Sequence, residues 1–167
     1  MANADIQWIE DGSPKQRPFR AYIIGWQNSR YAINRLIESY NALTVGAAKP
    51  NAKEELNIAA VRRHILSSLL ELKGKLDSKY GHLRRDQINT SSINAVRGAR
   101  RADLEHAEKW RDIRNLTFHF GDVIETDAQL VATYKSIFAV TDAEVNAVWN
   151  AIDAVGEAMK TLASDHC

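Results

Sequence analysis

A single cysteine, Cys167, excludes a disulfide within the chain and any Cys-x-x-Cys metal knuckle, and it suits a reducing cytoplasm as the expected location. Proline is scarce: Pro14, Pro18 and Pro50 are the three, and none follows Ala52, which leaves long stretches free to be helical. No apolar run reaches the length of a membrane span. The stretch from Met1 to Pro18 carries Asp5, Glu10 and Asp11 and lacks the apolar centre of a secretion signal, so neither membrane insertion nor export is expected. Charge of one sign is also missing in bulk. With 22 Lys+Arg against 21 Asp+Glu, net charge gives no case for a chromatin-type or polybasic membrane protein, and any nucleic-acid site must be local. There is no Gly-rich phosphate loop, His-Glu-x-x-His or Gly-x-Ser-x-Gly, which argues against P-loop hydrolysis, zinc proteolysis and α/β-hydrolase chemistry; no metal and no cofactor is expected.

The 167 residues, 45% hydrophobic and 26% charged, fit one globular domain spanning 1–167. The apolar pattern is helical throughout. From about Arg17 to Thr44, Phe19, Ile23, Trp26, Ile33, Ile37 and Tyr40 form a one-sided stripe interrupted by Arg30. After a loop around Pro50, Ile58, Ile65, Leu69, Leu72 and Leu76 mark a second long helix to about Lys79, which makes an antiparallel hairpin with the first. Residues 1–16 read as an irregular arm and 80–101 as a long, basic, mobile loop, because apolar residues there lose helical spacing. A third helix is expected over about Ala102–Phe120, with Leu104, Ala107, Trp110 and Ile113 inward and Gly121 as its stop. Thr126–Gln129 and Thr141–Glu144 fit capping boxes that start a short helix bearing Leu130, Tyr134 and Phe138 and a long final one. The expected fold is all-α, an antiparallel four- to five-helix bundle.

Charge is unevenly spread along this bundle. Between Lys79 and Arg114 nine Lys+Arg face five acids, a net of +4, whereas from Gly121 onward two lysines face eight acids, a net of −6. Clustered arginines bind phosphates, although the same segment could be a solvated face laced with internal ion pairs. Arg97, Arg100 and Arg101 are candidates to track an RNA backbone. Arg111 could add a phosphate contact or pair with Glu108 or Asp112, and Trp110 could stack on a base but reads better as core.

Among the five histidines, His119 stands apart because it closes the run Arg114-Asn115-Leu116-Thr117-Phe118-His119. Imidazole can take the proton from a ribose 2′-OH as it attacks the adjacent phosphate, and guanidinium can clamp the phosphorane oxygens. On an unbroken helix Arg114 and His119 would point about 140° apart, while Arg111, Asn115 and His119 share a face. A working site therefore needs the helix end to unwind or a second subunit to complete it, and a homodimer supplies the latter. Arg101 and His106 repeat the spacing early in the helix, but Ala102 rather than a polar residue follows the arginine.

The run R-N-L-T-F-H resembles the signature of HEPN domains: an Arg, a polar residue, a short spacer and a His on a late helix of a small helical bundle. The resemblance would cover nearly the whole chain, with six specific residues. It implies a metal-independent endoribonuclease whose two motifs meet at a dimer interface, in a toxin–antitoxin or abortive-infection setting. Carried over, Arg114 and His119 are catalytic and Asn115 positions them or the phosphate, with RNA as substrate and an antitoxin protein as a further partner. HEPN relatives that only bind nucleotides or act as scaffolds make a non-catalytic binding module the alternative.

Overall fold

A computed structural model describes residues 2–45, 50–118 and 127–165, all in helices or the turns between them. In chain order the helices are α1 (Ala2–Glu10), α2 (Arg17–Thr44), α3 (Ala52–Arg85), α4 (Ser91–Ala99), α5 (Arg101–His106), a 3-10 turn (Ala107–Trp110), α6 (Arg111–Phe118), α7 (Asp127–Ala139) and α8 (Asp142–Asp165). No strand occurs among the described residues, and the all-α bundle expected from the sequence is the fold observed. No described helix is long and apolar enough to cross a membrane.

The frame is α2, α3 and α8. Phe19, Ile23, Trp26 and Ile33 of α2, Leu66, Leu69, Leu72 and Leu76 of α3, and Val148, Ile152, Val155 and Met159 of α8 bury one continuous core. Arg30, which breaks the α2 stripe, is accounted for by α8: its guanidinium donates to Glu157 at 2.7 Å and to Asp153 at 3.1 Å, so the polar interruption is a tie between helices. Beside it α2 and α8 approach so closely that a Cβ on Gly156 would stand 2.1 Å from the Trp26 ring, which restricts that position to glycine. The Thr141–Glu144 capping box forms as expected, with Glu144 accepting from the Thr141 amide at 2.6 Å and Thr141 Oγ1 accepting from the Glu144 amide at 3.2 Å. A second box, Asn51–Glu54, starts α3. Thr126, the cap residue of the other expected box, lies outside the described residues, as do Gly121 and Phe120.

Four expectations are corrected. The arm 1–16 is helical over Ala2–Glu10, because arginines of α2 satisfy its C-terminal carbonyls: Arg20 donates to Trp8 O at 2.7 Å and Arg17 to Glu10 O at 3.1 Å, with the Arg20 guanidinium over the Trp8 ring. The loop 80–101 is instead the end of α3, a short turn and α4; three apolar residues, Ile88, Ile93 and Val96, hold it on the core. Gln87, at φ 57°, makes the turn. The third helix is not continuous. Leu104, Ala107, Trp110 and Ile113 are all buried, but through α5, the 3-10 turn and α6 in succession. Their three-residue spacing is the period of a 3-10 helix, and four residues at about 120° instead of 100° turn the helix that follows by about 80°. On α7, Tyr134 packs against the core as expected, but Ile137 enters it in place of Phe138, which is exposed.

Candidate functional site

The buried anchors Trp110 and Ile113 fix how α6 presents its remaining side chains. Arg114 follows Ile113 by one residue and so emerges at the margin of the buried face, half-buried, with half-buried Asn115 next to it. Arg114 lines a cleft of about 530 Å³ between α2 and α3. Ser29, Ile33 and Leu36 form its α2 wall, and Ser68, Glu71, Leu72 and Lys75 its α3 wall. Arg114 Nε is buried without a hydrogen-bond partner, as are Arg20 Nε and Arg63 Nε. An unpaired buried donor costs about 1–3 kcal/mol. Among the described residues Glu71 and Lys75 form no ion pair either, although they are one turn apart in the order that favours pairing.

The other candidate arginines have different surroundings. Arg97 pairs with Asp77 and lies 4.6 Å from the centre of the Tyr80 ring. Arg101 pairs with Glu105 at 2.7 Å, and Arg111 with Glu108 at 2.8 Å. Lys73 joins the Arg97 and Arg111 pairs into a chain, donating to Asp77 at 2.8 Å and to Glu108 at 2.6 Å. Hydrogen bonds from Lys73 and then Arg111 hold the Glu108 carboxyl below its ordinary pKa. Burial works to lower the Lys73 pKa, but its two carboxylate partners outweigh that and raise it. Arg100 is exposed at the junction of α4 and α5, where its carbonyl accepts from the Leu104 amide at 3.1 Å.

Helix α3 separates the two groups. Lys73 and Lys75 are two residues apart, so they point about 160° away from each other. Lys73 lines a groove of about 330 Å³ with Arg97, Arg101 and Tyr80, while Lys75 lines the Arg114 cleft. The structure therefore does not bring Arg97 and Arg101 to Arg114. The basic segment is, for Arg97, Arg101 and Arg111, a face laced with internal ion pairs. Trp110 is core, 2% exposed, and cannot offer its face to a base. His106, the histidine of the repeated spacing, contacts Glu144 at 3.1 Å and the Trp110 ring edge-on, which ties α5 to the start of α8.

His119 lies outside the described residues, five positions beyond Arg114. No protein-family model, curated protein or solved structure matches this chain. Sequence reasoning reached Arg114 and Asn115 through the motif but missed Glu71, Lys75, Ser29 and Ser68. The signal was present as two facing stripes, Ser29/Ile33/Leu36, apolar but for its serine, and Ser68/Glu71/Lys75, polar throughout. Among the described residues no group of three His, Cys, Asp or Glu side chains gathers where it could hold a metal ion.

Proposed function

We propose that the chain is a metal-independent endoribonuclease of HEPN type, cleaving RNA by attack of a 2′-OH on the adjacent phosphate. The observation that carries this reading is Arg114: where Arg97, Arg101 and Arg111 are paired with carboxylates, the motif arginine lines an open cleft and pairs with no carboxylate among the described residues, its buried Nε lacking a hydrogen-bond partner as those of Arg20 and Arg63 do elsewhere. Its role is to hold the phosphate and stabilise the charge that develops on it. His119 serves as general base, with Asn115 positioning the phosphate. Two copies of the motif in a homodimer bring together the arginine and histidine that a single unbroken helix would point about 140° apart. The setting is a cytoplasmic toxin or phage-defence effector restrained by an antitoxin protein.

Incubation of the wild type, Arg114→Ala and His119→Ala with total RNA in EDTA, read on a denaturing gel beside a sizing column, tests it. Cleavage by a dimeric wild type alone is the expected result; uncut RNA from a folded dimer would overturn the enzymatic part. A second reading is a non-catalytic nucleotide- or partner-binding module. It is favoured by the pairing of Arg97, Arg101 and Arg111, which leaves less free positive charge to follow a long RNA strand.

A further inference from the structure

The cleft beside Arg114 is chemically mixed in a particular way. Its walls offer aliphatic surface from Ile33, Leu36 and Leu72, two cations, Arg114 and Lys75, and one carboxylate, Glu71. At about 530 Å³ it falls within the range of about 300–1,000 Å³ that holds small organic ligands. Two cations with a single carboxylate suit a ligand that carries both an anionic group and hydrogen-bond donors, and the aliphatic side chains suit a flat ring. A nucleotide carries all three: its phosphate would meet Arg114 and Lys75, its base the aliphatic side chains, and the donors of its base edge Glu71.

The carboxylate then discriminates between bases. Two carboxylate oxygens accept a parallel pair of hydrogen bonds, which strengthens and orients the contact. Guanine presents two adjacent donors, N1–H and the N2 amine, on its Watson–Crick edge. Adenine and cytosine each set a ring-nitrogen acceptor beside their amine, and uracil flanks its one donor with two carbonyls. Each of these three would turn an acceptor toward Glu71. We propose that the α2–α3 cleft is a guanine-selecting pocket, with Glu71 the specificity-determining residue and Lys75 assisting Arg114 on the phosphate. The assignment rests on the ribonuclease reading in taking the occupant to be a nucleotide of RNA held at Arg114.

Calorimetric titration of the full chain with guanosine, adenosine, cytidine and uridine monophosphates tests the pocket without requiring cleavage. Guanosine monophosphate should bind about tenfold or more tightly than the other three, the discrimination of one good bidentate contact. Glu71→Gln keeps the size but replaces one acceptor with a donor, and should bring guanosine monophosphate to the level of the others while leaving theirs unchanged. Affinities within twofold of one another for the wild type, no saturable binding of any of them, or a guanine preference that survives Glu71→Gln would each overturn the proposal. Mapping cut sites on RNA separates the two readings. Cleavage without base bias, alongside equal affinities, removes the guanine pocket and keeps the ribonuclease; guanine-selective binding by a protein that cuts no RNA does the reverse.

Discussion

The two flanks of α3 carry similar residues in opposite states. On one, Arg97, Asp77, Lys73, Glu108 and Arg111 form an unbroken chain of alternating charge. On the other, Glu71, Lys75 and Arg114 share a cleft and form no ion pair among the described residues. Counting arginines along the sequence directs attention to the first flank; looking for charged side chains that share a cleft without pairing directs it to the second. A paired arginine must give up a carboxylate before it can take a phosphate, whereas Arg114 pairs with no carboxylate among the described residues.

The comparison breaks most visibly in the chemistry assigned to the unpaired flank. Arg114→Ala and His119→Ala should each lower RNA cleavage by about 100-fold or more, the usual scale for losing a charge-stabilising donor or a general base. Initial rates on a fluorescent oligoribonucleotide measure this. Activity within threefold of wild type in both variants would remove the site from this flank.

Loss of fold must be separable from loss of site, and Gly156 provides the control. In Gly156→Ala the new Cβ would stand 2.1 Å from the rigid Trp26 ring, so α2 and α8 must move apart. Overpacking costs about 1–3 kcal/mol, against at most about 1 kcal/mol gained from replacing glycine in a helix. Net destabilisation is expected, visible as a lower Tm at roughly 2–4 °C per kcal/mol for a chain of this size. Cleavage at temperatures well below that Tm should be retained, unlike in Arg114→Ala.

Lys73 tests the paired flank. Its side chain is 12% exposed, and Lys73→Met leaves Asp77 with Arg97 and Glu108 with Arg111. A cost of about 1–2 kcal/mol is expected, below the 3–5 of fully buried pairs because both carboxylates still reach water. The pH dependence has a defined sign. Glu108 titrates lower folded than unfolded, so its contribution is present above the ordinary carboxylate pKa and is lost as pH falls through the depressed folded value. Lys73 titrates higher folded, so its contribution is present below the ordinary lysine pKa and is lost as pH rises through the folded value. The stability advantage of wild type over Lys73→Met should therefore be flat from about pH 5 to 10 and shrink on either side. Urea melts across that range measure it, and an advantage that grows on acidification would contradict the assignment.

What the sequence made legible follows the same division between local and tertiary information. The bounds of α2, the Thr141–Glu144 box and the buried set Leu104, Ala107, Trp110 and Ile113 are local patterns, and each is observed. Helices α1 and α4, nine residues each, were not legible, because helices so short draw their stability from packing rather than from their own periodicity. Arg114 and Asn115 could be singled out by spacing. The state of Glu71 and Lys75 could not, since on a helix drawn from sequence they look like an ordinary surface pair; that they do not pair is a property of the cleft they share with α2 and α6.

The smallest expected effects sharpen the comparison most, because they set one arginine of the basic segment against one lysine that the charge count overlooked. Arg101 is exposed and engaged with Glu105, one turn along its own helix. Arg101→Gln should leave both RNA affinity and its dependence on salt unchanged. Lys75→Gln should weaken binding and reduce the slope of log affinity against log salt by about 0.7, the share of one phosphate contact on a single strand. Titrations of a short oligoribonucleotide at several salt concentrations give both slopes. If Arg101→Gln reduces the slope and Lys75→Gln does not, RNA follows the paired flank, its phosphates displacing carboxylates from arginines. If the slopes fall as expected, the nucleic acid lies along α2 and α3, and the paired flank serves to hold α4 and α6 against α3 while the other remains open.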